Sequence, residues 1–329
     1  MLSISTKYLI NKAIKRNYEV NIIDKTANIF QISHDGRKYL FKNIDGGINS
    51  SLGQKISRNK DLTYKLLEFY GINYPKTIIL SKNQEIDYNK IIETLGFPIV
   101  IKPSNTNHGI GISMKIKSVE MLEEGIKEGF KYSSKIIIQR QIKGKDHRIL
   151  VVGNKVVAGI KKTPCKIIGN GINTIKELIE DENKNPLRGE VINLGNTAIY
   201  TKPLVSIKIN ERVKKFINNK YNYDFDSIPQ KNEKIYLKGN SNISTGGTYI
   251  DITDNINEIT KKQCIEFSKA IGLKVCGVDI MSSDISKPMN ENGGGIIEVN
   301  STPGIDMHDN EISGINRNVC GKILDLYFH

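Results

Sequence analysis

Apolar residues recur at helical spacing from the start of the chain, where Leu9, Ile10, Ala13 and Ile14 fall on one face. Residues 20–23 then read as a strand, so the chain opens on an αβ unit. The runs 29–32 and 39–41 flank His34-Asp35-Gly36-Arg37 and predict a hairpin. Over 60–70 the spacing predicts a helix with Leu62, Leu66 and Phe69 on its apolar face and Gly71 as its cap. From 72 to 148 strands at 78–80, 99–101, 112–116 and 136–138 alternate with helices around Ile91, Ile92 and Leu95 and around Leu122, Ile126 and Phe130. That order predicts an α+β subdomain. Residues 149–160 form two apolar runs around Gly153-Asn154, a hairpin signal. Residues 183–204 are polar and punctuated by Pro186, Gly189, Gly195 and Pro203, which predicts a mobile excursion. Strands at 275–281 and 296–299 follow, and a helix carrying Val319, Ile323, Leu324 and Tyr327 closes the chain.

With 329 residues, 38% hydrophobic and 25% charged, the composition suits an ordinary soluble protein with two or three small cores. Forty-eight Lys and Arg against 35 Asp and Glu leave a net charge of +13, which favours anionic partners without choosing among nucleotides, acidic small molecules and nucleic acid. The cations are scattered, so a solvated basic surface is an equal reading. Cys165, Cys264, Cys276 and Cys320 form no C-x-x-C pair and have no His at zinc spacing, and reduced thiols are expected. No secretory leader pattern and no long apolar stretch occurs, so a cytoplasmic location without membrane contact is the expectation.

Four segments carry candidate chemistry. Lys102 ends the apolar run 97–103, where it can reach a phosphate, and the loop 104–111 that follows holds Asn107, His108, Gly109 and Gly111, small residues that let backbone amides approach an anion. In Gly144-Lys145-Asp146-His147-Arg148, a carboxylate at a strand crossover can accept both ribose hydroxyls and the neighbouring arginine can meet a phosphate; a surface ion pair is the plainer reading. Asp279 sits in one apolar strand, and Glu298 and Asn300 alternate onto one face of another, a hard-oxygen set suited to a cation bound with a nucleotide. The loop 239–248, rich in hydroxyls, amides and glycines, can present donors to a carboxylate or a phosphoryl group, and is longer than a simple hairpin needs.

Taken in order, these segments resemble the ATP-grasp superfamily. Ser241-Asn242-Ile243-Ser244-Thr245-Gly246-Gly247, Ile250-Asp251-Ile252-Thr253-Asp254 and Cys276-Gly277-Val278-Asp279 are similar to the ATP-grasp module of bifunctional glutathione synthetases. Asp146-His147-Arg148-Ile149-Leu150-Val151-Val152 and the run from Glu298 through Pro303 to His308 resemble cyanophycin synthetase. The resemblance runs from about residue 3 to the C-terminus. It implies an α+β ATP-grasp fold with a small N-terminal segment over 1–59, a central lid subdomain over 60–148 and a C-terminal antiparallel-sheet subdomain over 149–329.

The resemblance further implies ATP and two Mg²⁺ ions, with Mn²⁺ as an alternative. Lys60 and Lys102 would bind phosphate, Asn107 to Gly111 would form the lid, and Asp146 would hold the ribose. Asp279, Glu298 and Asn300 would bind the ions, with Arg148 and Lys162 stabilising the transferred phosphoryl group. Asn242, Ser244, Thr245 and Gly246 would shape the substrate region, with further contacts from 183–204 and 305–316. Gln139 stands where relatives carry Glu facing adenine, and its amide can still hydrogen-bond an exocyclic amine.

The implied activity is ATP-dependent joining of a carboxylate to an amine through an acyl phosphate, on an amino acid or short peptide. The glutamate–cysteine ligase domain and the Mur-ligase-like domain that adjoin this module in its relatives are not seen, so a standalone module is expected, a homodimer being allowed. A catalytically inactive ATP-binding partner or regulatory protein is the alternative. Nucleic-acid binding has no helix-turn-helix, zinc finger or RNP-like aromatic cluster behind it.

Overall fold

Alternation of inward and outward residues along the strands fixes where the polar groups emerge. The protein, described here from a computed structural model, is defined over residues 1–106, 110–194, 197–310 and 315–329. It divides into two units. One comprises Met1–Gly46, Ile160–Asp251 and Gly304–His329, and the other Gly47–Gly159 and Ile252–Pro303. These lines differ from the sequential division at 59/60 and 148/149, because the chain leaves and re-enters each unit.

In the second unit, strands Thr77–Ser81, Lys135–Arg140, Ile99–Pro103 and Ser113–Ile116 lie side by side in that order, every neighbouring pair antiparallel. Ile99, Ile101, Ile136 and Ile138 point to one face and pack with Ile91 and Leu95 of helix Tyr88–Leu95 and with Leu122 and Ile126 of helix Val119–Gly129. Val100, Lys102 and Gln139 alternate to the other face, as Val100 lies opposite Gln139 and Lys102 opposite Ile137.

A second antiparallel sheet in this unit holds Lys145–Val152, Val275–Ser282 and Gly295–Asn300. Ile149, Val151, Cys276, Val278 and Ile280 face a core shared with Phe267 of helix Glu258–Ala270 and with Tyr64 and Leu67 of helix Lys60–Phe69. Period-two alternation therefore sends Asp146, Arg148, Gly277 and Asp279 to the opposite face.

Helix Lys60–Phe69 differs from the expected face. Leu62 is 41% exposed and Phe69 78%, while Asp61, Tyr64 and Leu67 are buried. The Tyr64 hydroxyl donates to the Ile297 carbonyl, and Asp61 pairs with Lys65 (3.3 Å) and Lys135 (3.2 Å), so polar partners make burial of that side favourable. Its end is as expected: Gly71 (φ +64°) donates to Glu68 and Ile72 donates to Leu67, a left-handed stop that suits glycine.

In the first unit, helix Ile4–Lys15 precedes a meander of Glu19–Asp24, Ile29–His34 and Arg37–Lys42. Asp35 and Gly36 both have positive φ at its second turn, as a two-residue hairpin requires. Phe30 stacks on Phe41, which meets Tyr327 of the closing helix Val319–Phe328 at a tilt. The segment 160–251 has its own core, in which Ile175 and Ile179 of helix Ile175–Asn183 meet Val213 and Ile217 of helix Glu211–Tyr221 and Cys165, Ile207 and Leu237. The excursion at 183–204 carries short strands: Arg188–Gly189 runs parallel to Leu204–Val205, and Val191–Leu194 pairs with Thr197–Tyr200. Its polarity conceals this pairing because the strands are too short to alternate recognisably. No described helix is long and apolar enough to cross a membrane.

Candidate active site

Asp279 lies directly across from Arg148 on one side and from Glu298 on the other, so three charged residues form a row across three strands. Residues facing each other in an antiparallel sheet share a face. Arg148 Nε and Nη2 each donate at 2.7 Å to Asp279, Nε to Oδ1 and Nη2 to Oδ2, a bidentate pair with 16% and 5% of the two side chains exposed. Burial opposes the charged guanidinium, yet Asp279, Glu298 and Asp146 outweigh it and raise the Arg148 pKa above the ordinary value. Asp146 stands two residues from Arg148 on the same face, inside the strand and not at a crossover, because the strand begins at Lys145.

Gly277 creates the space for this row. A Cβ there would lie 2.9 Å from Pro303 Cβ and 3.4 Å from Arg148 Cδ, so the arginine lies over the glycine. Asn300 faces Gly277 across the strands, and its Nδ2 is buried without a hydrogen-bond partner.

Lys60 opens its helix, where Asn59 caps by accepting from Leu62 N. Its ammonium reaches Glu298 Oε1 at 3.1 Å and donates to the Thr106 carbonyl at 2.8 Å. Lys102 lies within electrostatic range of Glu298, Asp146 and Asp279; burial pushes its pKa down from 10.5 to about 8 despite those carboxylates. Three cations and three carboxylates therefore interleave in one unit, each sign holding the other in place.

Gln139 is wholly buried in its strand and donates from Nε2 to Thr77 Oγ1 at 2.7 Å. Gly111 has φ +71°, and a Cβ there would come within 2.8 Å of both Tyr132 and Pro103. Asn107, His108 and Gly109 lie outside the described residues, as do Gly195 and residues 311–314 of the expected substrate segments. Lys162, Asn242, Ser244, Thr245 and Gly246 belong to the other unit. Lys162 is buried opposite Tyr249, and residues 242–246 form a short 3₁₀ turn ended by Gly246 at φ +94°.

Gly277 and the Arg148–Asp279 pair escaped the sequence reading. A glycine inside an apolar strand is a signal of close approach and could have pointed to the first. The pair depends on strand register, which sequence does not print.

The hard oxygen donors of Asp279, Glu298 and the Asn300 amide fit a magnesium ion in kind. Among the described residues no three His, Cys, Asp or Glu side chains cluster as a metal site, so the set depends on the amide. Both carboxylates are held by cations, which leaves further lone pairs on each oxygen.

The family description "D-ala D-ala ligase C-terminus" matches residues 66–186, and "RimK-like ATP-grasp domain" matches 233–326. The chain is 38% identical over its full length to the glutathione biosynthesis bifunctional protein of Clostridium perfringens, covering 41% of that protein. It is also 38% identical over 84% of its length to cyanophycin synthetase of Trichormus variabilis, covering 30% of it. The chain thus spans less than half the length of these relatives. Its fold matches the crystal structure of a bifunctional glutathione synthetase from Pasteurella multocida with a TM-score of 0.74 at 26% identity, over 99% of this chain and 43% of that one. With the ordered motifs, the two-sheet unit and these matches in agreement, the chain carries an ATP-grasp domain with the fold of these relatives.

Proposed function

We propose that this chain is the nucleotide-dependent part of a carboxylate–amine ligase, using ATP to activate a carboxylate as an acyl phosphate and joining it to an amine of an amino acid or short peptide. The observation that carries the reading is the Arg148–Asp279–Glu298 row with Lys60 and Lys102 beside it. Bifunctional glutathione and cyanophycin enzymes among its relatives support an amino-acid or peptide substrate.

A carboxylate resists attack because its charge repels the amine and oxide is a poor leaving group. Transfer of the γ-phosphoryl group removes both obstacles; the amine then attacks the carbonyl carbon and phosphate leaves through a tetrahedral intermediate. Such transfer depends on positioning and charge neutralisation. Lys60 and Lys102 bind phosphate oxygens as point charges, and Arg148, oriented by Asp279, offers a planar donor to the moving group. Asp146 accepts ribose hydroxyls. Asp279, Glu298 and Asn300 would hold Mg²⁺, which would supply positive charge to offset that of the phosphate. A triphosphate with divalent ions is close to neutral, and the balanced charges of the site suit it. Gln139 backs the adenine side from within its strand, Lys162 is assigned with Arg148 to the transferred phosphoryl group, and Asn242, Ser244, Thr245 and Gly246 are assigned to the substrate side.

The test is a screen of paired amino acids and γ-glutamyl peptides for ADP release, with mass spectrometry of products. Glu298→Gln, which keeps the shape and removes the charge, is expected to keep the fold by circular dichroism and lose turnover. Full phosphate release by that variant would refute the assignment.

A further inference from the structure

Arg188 has 1% of its side chain exposed; it lies in the segment 183–204 expected to carry substrate contacts, but no role has been named for it above. Its Nε and Nη2 donate to Glu182 Oε1 at 3.1 and 3.0 Å, and its Nη1 donates to the carbonyls of Val205 at 2.8 Å and Gly246 at 3.2 Å. One guanidinium thus joins the end of helix Ile175–Asn183, the Leu204–Val205 strand and the loop that ends at Gly246. Burying a cation is unfavourable unless its donors are met, and here most of the fork is used.

The same helix end fixes the wall behind the loop. Asn183 accepts from Ile207 N at 2.7 Å and donates to Ile207 O at 2.9 Å. A Cβ on Gly246 would lie 3.0 Å from Cys165 Sγ and 3.3 Å from Ile207 Cγ1, so the glycine is held from behind while Arg188 holds its carbonyl.

We propose that Arg188 is a positioning residue for the 241–247 loop, setting the Gly246 peptide and with it the place of Asn242 and Ser244 on the substrate side, while the Thr245 hydroxyl holds the loop from within by donating to the Asn242 carbonyl at 2.9 Å. The link to substrate rests on the ligase reading above; the link to the loop does not. A lysine cannot replace it, since one ammonium cannot meet a carboxylate and two separated carbonyls in a planar fork. Glu182→Gln keeps an acceptor oxygen for the guanidinium and serves as the control.

Hydrogen exchange and steady-state kinetics on the whole chain test this. In Arg188→Lys, amides 245–248 are expected to exchange at least ten-fold faster, with exchange at 234–237 unchanged. ATP affinity should stay within two-fold, while KM for the carboxylate substrate rises at least ten-fold. Glu182→Gln should behave as the parent in all three. If Arg188→Lys does not fold, Glu182→Ala is measured in the same way and should give intermediate exchange. Wild-type exchange at 245–248 in whichever variant folds, or an equal loss of ATP affinity, overturns the proposal. Absence of any ADP formation by the parent chain would remove the ligase reading, while the exchange data still decide the role of Arg188.

Discussion

At the scale of single residues, the site is a set of charges that constrain one another. Removing one member of the buried Arg148–Asp279 pair leaves the other uncompensated, which typically costs about 3–5 kcal/mol. Asp279→Ala is therefore expected to destabilise the chain by roughly that amount in urea melts. Arg148→Met combined with Asp279→Ala should cost less than Asp279→Ala alone, and an additive loss would show that the two side chains do not interact. Lys102 gives a pH dependence. Its folded pKa of about 8 lies below the ordinary 10.5, so between those values the unfolded chain binds the extra proton, and stability from this group rises with pH across that window. Binding runs the other way: the ammonium that meets phosphate is lost as pH rises through about 8. ATP affinity measured calorimetrically should fall from pH 7 to pH 9, and Lys102→Met should bind more weakly with a flatter profile.

Among the elements, the strand Val275–Ser282 sets the site, because it pairs on both sides and carries Asp279 between Arg148 and Glu298. Gly277→Ala would drive a methyl group toward Pro303 and Arg148, and overpacking of this kind costs about 1–3 kcal/mol. A lower thermal midpoint with weakened nucleotide binding is expected; an unchanged melt would mean that the strand yields freely at that point. The helix Lys60–Phe69 illustrates the limit of periodicity. Its existence and its glycine stop were legible in local chemistry. Its buried face was not, because Tyr64 and Asp61 gain partners from distant segments, while Leu62 and Phe69 stay exposed and Leu66 is only partly buried against the core.

For the molecule as a whole, every described residue proposed for the nucleotide side other than Lys162 lies in the unit of residues 47–159 and 252–303. Ligand that binds only the folded chain stabilises it by about 2.7 kcal/mol at one hundred times its dissociation constant. Adding Mg-ATP should raise the unfolding midpoint and slow exchange at 99–103, 145–152 and 275–300. Protection confined to the other unit would contradict the placement of the site.

The order of helices and strands over 60–148 and the closing helix followed from side-chain periodicity, and the resemblance from motifs whose residue types and sequence are local facts; helices Ile175–Asn183, Glu211–Tyr221 and Glu258–Ala270 were not read from it. Oxygen donors and cations could be named from the chain because their chemistry belongs to the residue. Which of them touch was decided by strand register: a shift of one residue would send Asp279 into the core and Val278 out to Arg148. The face that a helix buries, the pairing of the short strands after residue 187 and the brace from Arg188 likewise depend on groups far apart in sequence. Such contacts gain their free energy only once the chain has closed on itself.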